Sequence, residues 1–169
     1  YGALVQALLQ ALAQRCAASV ARVVLTLNLP EAPPCAPAAG WPFALELRRN
    51  AHPAGFGTNH NRALAGAQEA FVCVLNPDVA LHPDGADPFA ALVQAAGTRG
   101  AGCAYPLQVD AQGRVQDSER ALPTLVALWQ RRVRGRGEQR LDWVNGACLV
   151  LPRPVWGTLG GFDEGYHMY

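Results

Sequence analysis

The chain has 169 residues, a formal net charge of +1 and an isoelectric point near 7.9. That is long enough for one domain with a sizeable core and too weakly basic for a dedicated nucleic-acid binder. All 14 basic residues are arginine, which excludes a Walker-type phosphate loop, a Schiff-base lysine and a kinase lysine; the only serines, Ser19 and Ser118, lie in no nucleophile elbow.

The first predicted element is a helix over 3–16, where Leu4, Leu8 and Leu12 repeat at helical spacing with Val5 and Leu9. The same stretch has no basic start and is interrupted by Gln6 and Gln10, so it does not read as a signal peptide. Arg22 to Asn28 reads as a strand, Glu31 to Pro42 as a proline-rich loop, and Phe43 to Arg49 as a second strand. A helix over 57–68 follows. Phe71 to Leu75 is a short apolar run with the composition of a strand buried on both faces. Asp87-Pro88 supplies an N-cap and a proline at the first helical position, opening a helix to about Ala96; Asp84 reads as a turn residue.

Further along, Ala101 to Tyr105 reads as a short strand and Val109 to Val115 as a hairpin with Gly113 at positive φ. Arg131 to Arg140 is basic and glycine-punctuated, the pattern of a loop, and Trp143 to Leu151 reads as one last strand. Strands alternating with helices predict an α/β fold, a mostly parallel sheet with helices on both faces. No apolar run approaches the ~18 residues of a membrane span. The five cysteines form no CxxC pair and three lie in apolar runs, as buried free thiols in a reducing compartment do.

The chemically telling segment is Asn76-Pro77-Asp78. Pro77 cannot continue a ladder, so the strand ends there and presents Asp78 at its carboxyl end, where open α/β sheets bind ligands. A carboxylate there suits Mg2+ or Mn2+ carrying a diphosphate, or it simply caps a turn. His52 and His60 lack partners at zinc spacing and read as loop and surface residues.

Three more segments fall in line with it: Arg49 to Ala63 with Gly55-Phe56-Gly57, Asp142 to Cys148, and Gly160-Gly161-Phe162-Asp163-Glu164 continuing to Tyr169. In order and spacing the four resemble the family 2 glycosyltransferases of GT-A fold, notably the bacterial rhamnosyltransferase-like members, over about residues 22–169. The resemblance implies transfer of a sugar from a nucleotide-diphosphate donor to a glycan or lipid-linked acceptor, with inversion and a divalent metal, in bacterial cell-envelope polysaccharide synthesis. Asn76-Pro77-Asp78 then matches the family's Asp-X-Asp position with Asn for the first acid, making Asp78 the metal ligand. Asn50, Gly55, Asn61, Asn76 and Asp78 become the donor-side residues, and Trp143, Gly146, Asp163 and Glu164 the acceptor side, with Asp163 a catalytic candidate. On the residues alone, Asn59 caps the helix and Arg62 lies in solvent or faces phosphate. Trp143 stacks on a sugar or is buried, and Asp163 and Glu164 bind hydroxyls or cap a helix.

The resemblance also implies a first strand ahead of the first helix and a general base beyond Tyr169. The expectation is therefore a single domain over 1–169 that is a fragment of a longer enzyme and inactive by itself. The family's acidic residue after its second strand has no clear counterpart, Asn28 and Glu31 being the nearest. A non-catalytic sugar-nucleotide or glycan-binding module of the same fold is the competing reading. A nucleotidyltransferase is disfavoured by the absence of lysine. The resemblance places the protein in the cytoplasm, at the inner membrane face if the 131–140 arginines touch anionic lipid.

Overall fold

The computed structural model describes residues 2–82, 85–116, 118–120 and 143–166. The chain divides into two compact units, Tyr1–Pro106 with Ala147–Tyr169, and Leu107–Gly146. In the first unit the elements are α1 (Gly2–Arg15), β1 (Arg22–Leu27), β2 (Ala44–Arg49), α2 (Phe56–Leu64), β3 (Phe71–Leu75) and α3 (Pro88–Ala96). The second unit contributes β4 (Glu119–Arg120) and β5 (Trp143–Val144), and the chain then returns to the first with β6 (Cys148–Pro152) and α4 (Arg153–Leu159). Among the described residues no helix is long and apolar enough to cross a membrane.

Helix α1 buries Val5, Leu8, Leu9 and Leu12, one apolar stripe, while Leu4 faces outward at 48 % exposure. That stripe meets Phe89, Leu92 and Ala96 of α3 together with Phe43, Ala104, Cys148 and Val150, forming the main core. Truncating one of these leucines to alanine removes contacts worth roughly 2–5 kcal/mol. Asp87 caps α3 as expected, its Oδ1 accepting from the Phe89 N–H at 2.9 Å with Pro88 in the first turn.

Strand β3 is covered on both sides, as its composition predicts. Val72 and Val74 are buried, and Phe71, Cys73 and Leu75, alternating with them, pack against the main core. Strands β1 and β2 run parallel with Arg22 opposite Ala44. Their connection is the proline-rich loop rather than a helix, held to α1 by Gln6, whose side chain exchanges hydrogen bonds with both backbone groups of Cys35 (3.1 and 2.9 Å).

The mostly parallel sheet is corrected by the ladders. Only β1 and β2 are parallel among the described strands; β3 pairs with β6, and β4 with β5, antiparallel. The reason is topological: the chain leaves for the second unit after α3 and re-enters beside β3 in the opposite sense. The expected strand over 101–105 shrinks to a bridge between Ala104 and Val150. The expected strand over 143–151 breaks at Asn145-Gly146 into β5 and β6, which belong to different units. The hairpin forms as predicted, Val109 opposite Val115 with Gly113 at φ 75°. The predicted loop 131–140 and Asp84 lie outside the described residues.

All five cysteines are free; Cys16 and Cys148 are buried and Cys35 is exposed. Burial, reinforced by the neighbouring Asp87, pushes the Cys16 thiol up to about 12, so it stays protonated and inert.

Candidate functional site

Three constructions in the first unit hold most of the predicted residues, beginning with the turn after β3. The Asn76 N–H extends the ladder by donating to Ala147 O at 2.9 Å. The Val79 N–H then donates back to Asn76 O at 3.3 Å, closing a turn over Pro77-Asp78. This leaves Asp78 exposed at the end of a buried strand. The chain beyond it is tied to α1 by Arg15, whose guanidinium donates to the carbonyls of His82, Gly85 and Ala86. Among the described residues no three His, Cys, Asp or Glu side chains cluster closely enough to hold a metal by themselves.

The second construction is an asparagine network at the ends of β1 and β2. Asn28 Oδ1 accepts from the Ala54 N–H and from Asn50 Nδ2, both at 2.8 Å, and Asn28 Nδ2 donates to Ala54 O at 3.2 Å. Asn50 Nδ2 also donates to Asn59 Oδ1 at 2.7 Å, and Asn59 Nδ2 donates to Ala54 O at 3.1 Å. Three amides thus suspend the loop 51–55 that leads into α2. Asn59 is not the helix cap, since Gly55 holds that position without a side-chain bond; Asn59 lies inside α2 and reaches back to the loop. Asn28, with both amide atoms engaged, fills a structural role where an acid was expected.

The third construction joins α2 to the Gly160–Glu164 loop. Asn61 Oδ1 accepts from the Phe162 N–H at 2.8 Å, while its Nδ2 donates to Phe162 O at 2.9 Å and Glu164 Oε1 at 3.0 Å. Thr58 Oγ1 donates to the other Glu164 oxygen at 3.2 Å. A Cβ at Gly57 would lie 3.0 Å from Phe162 Cβ and 3.3 Å from Asp163 O, so this glycine admits the protein's own loop. Gly161 takes φ 85°, and a Cβ there would collide with the Asn61 amide. Asp163 is exposed, and its Oδ1 accepts from the Gly165 N–H at 2.8 Å, closing a local turn.

Phe162 is packed against Phe56, His60 and Trp156, with ring centroids 5.4–6.1 Å away. His60 also meets Phe56 edge-on at 4.4 Å. This corrects the expectation of a surface histidine. Burial pushes His60 down to about 4, so the imidazole is neutral near pH 7 and acts as an aromatic filler. His52, by contrast, is exposed as predicted.

The second unit holds two predicted acceptor-side residues. Trp143 pairs with Arg120 in the β4–β5 ladder and is 42 % exposed, so its ring is not buried. Beside Gly146, Asn145 exchanges amide hydrogen bonds with Gln108 at 2.7 and 2.9 Å, a contact the residue types alone did not suggest. Asp142 and residues 167–169 lie outside the described residues. Asn50, Gly55 and Asn61, with Asp163 and Glu164, are therefore linked through α2 and its flanking loop. Asn76 and Asp78 occupy the separate turn after β3.

No protein-family model matches the chain, and no solved structure matches it. It is similar to the N-acetylglucosaminyl-diphospho-decaprenol L-rhamnosyltransferases of two Mycobacterium tuberculosis strains, CDC 1551 / Oshkosh and ATCC 25618 / H37Rv. Each is 33 % identical over 145 residues, covering 68 % of this chain. The chain spans 46 % of the length of these relatives.

Proposed function

We propose that the chain is the sugar-nucleotide-binding part of a glycosyltransferase of GT-A type, family 2. The enzyme would move a sugar, rhamnose by analogy with the relatives' names, from a nucleotide-diphosphate donor to a lipid-linked or glycan acceptor. The observation that carries this reading is the 33 % identity to two proteins named as rhamnosyltransferases. The exposed Asp78 at the carboxyl end of β3 supports it with suitable chemistry.

A resident metal cage does not fit this donor set, but a substrate-borne ion does. Mg2+ and Mn2+ are commonly held by one or two carboxylates with the remaining positions filled by phosphate oxygens and water. Asp78 would be that carboxylate, and the ion would offset charge building on the departing diphosphate. The asparagine network holds the loop 51–55 and so fixes the start of α2, while Asn61 fixes the Gly160–Glu164 loop on the same helix. In the inverting reaction the acceptor oxygen attacks the anomeric carbon opposite the diphosphate and gives its proton to a base. We place that base beyond Tyr169 in the parent protein, with Asp163 orienting acceptor hydroxyls, in a cytoplasmic enzyme at the inner membrane face. A second reading, a non-catalytic binding module, is favoured by one observation: Asp163 and Glu164 already hold hydrogen bonds within the protein.

Calorimetric titration with dTDP, UDP and GDP, with and without Mn2+, tests the donor site. Metal-dependent binding of one nucleotide, lost in Asp78→Ala at unchanged thermal stability, is the expected result. Equal binding by Asp78→Ala would remove Asp78 from the site. Donor turnover by a longer version of the protein, containing the residues that follow Tyr169, separates enzyme from binding module.

A further inference from the structure

Strand β2 pairs on one side with β1 and with no other strand among the described residues. Beside it opens a groove of about 540 Å3 lined by Thr26, Arg48, Arg49, Asn50, Arg62 and Ala65. Half of that lining is arginine and none of it is acidic. Thr26 and Arg48 are register partners at the carboxyl ends of the two parallel strands, the edge at which α/β sheets receive ligands. Asn50 follows β2 directly, and Arg62 comes from the last turn of α2.

The guanidinium groups are unequally engaged. Arg48 is fixed by Glu46, at 2.7 Å, and by a bond to the Arg62 carbonyl, so it secures the end of α2. Arg49 donates to the Glu31 carbonyl at 3.0 Å and leaves further donors unspent. In this unit the ion pairs among the described residues are Arg22 with Glu46 and Glu69, and Arg48 with Glu46. No described carboxylate therefore pairs with Arg49 or with Arg62. A concave surface rich in N–H donors, with two uncompensated positive charges, selects an anion with several acceptor oxygens.

We infer that this groove binds a phosphate group, with Arg62 and Arg49 supplying the charge and Arg48 and the Thr26 hydroxyl completing the lining. The inference goes beyond the donor reading, because it requires neither Asp78 nor a metal ion. The phosphate could belong to a soluble diphosphate or to the headgroup of an anionic lipid, and both present the same chemistry.

The whole 169-residue chain would be titrated with inorganic pyrophosphate in EDTA, which silences any metal-dependent site. In parallel it would be sedimented with phosphatidylcholine vesicles, with and without phosphatidylglycerol. Arg62→Gln is the informative variant, since no hydrogen bond of the described fold uses that side chain. Arg49→Ala is the second, and Arg99→Ala, exposed and outside the groove, is the control. Loss of one charged donor pair should weaken binding roughly 10- to 100-fold. Pyrophosphate binding weakened in both groove variants but not in the control identifies a free phosphate ligand. Vesicle binding weakened in the same pattern, with pyrophosphate silent, identifies a headgroup. Failure of both probes to bind, or binding unchanged in Arg62→Gln and Arg49→Ala, overturns the proposal. Donor binding at Asp78 would stand or fall separately, on the manganese-dependent titration.

Discussion

Replacing Asn61 by alanine separates two roles that make opposite demands on this residue. The substitution deletes the bond from the Phe162 N–H and the one to the Phe162 carbonyl, along with the contact to Glu164. At a net ~1 kcal/mol for each backbone bond, and little for the exposed Glu164 contact, the loss comes to about 2 kcal/mol. For a chain of this size that lowers Tm by roughly 4–8 °C and shifts the urea midpoint without altering the slope. Amide exchange at Phe162 and Glu164 should accelerate while α1 and β3 keep their protection. Nucleotide affinity measured well below the new Tm should change little. An unchanged Tm with nucleotide binding abolished would refute this reasoning and return Asn61 to the donor pocket.

Three other expectations can be checked with the same instruments. His60 has a folded-state pKa of about 4, below its ordinary 6.5, so the unfolded chain takes up the proton first as pH falls. Stability should therefore decline as pH falls from about 6.5 to about 4, by up to ~3 kcal/mol relative to pH 7, and His60→Leu should flatten that decline in urea titrations; an unchanged slope would remove His60 as the cause. Gly57→Ala forces a methyl against Phe162 and the Asp163 carbonyl, and should lower stability by about 1–3 kcal/mol in the same titrations, whereas a neutral result would mean the loop yields freely. Glu69 is held below the usual carboxylate range by the Arg22 guanidinium, so its contribution is present at neutral pH and lost as pH falls through the lowered value. Because both groups are partly exposed, Glu69→Gln should weaken unfolding stability at pH 7 by no more than about 1 kcal/mol and have no effect in strong acid.

Local patterns were legible where one element decides its own fate. The leucine spacing located α1 within a residue at either end, though Leu4 turned out to face solvent. The apolar run ending at Pro77 located β3 residue for residue, and Asp87-Pro88 located α3. Legibility failed where a distant partner decides. Helix α2 ends at Leu64 rather than near Gln68 because the chain turns at Gly66, φ 74°. Helix α4 was not anticipated, although Pro154 is compatible with a helix's first turn. The tie made by Asn61 was hidden for the same reason: its partner, Phe162, is 101 residues away, and nothing in the local pattern announces it.

The tie between α2 and the Gly160–Glu164 loop also bears on how this protein can be recombined with its relatives. Gly57, Thr58 and Asn61 on one side, and Gly161, Phe162 and Glu164 on the other, fit each other as lock and hasp although 101 residues separate Asn61 from Phe162 in the chain. A chimera taking its front half from one parent and its back half from another would inherit mismatched pieces unless both sets came from the same source. Any crossover between such parents should therefore carry residues 57–61 with residues 160–164. Drift at one of these positions is expected to be answered by compensating drift at the other.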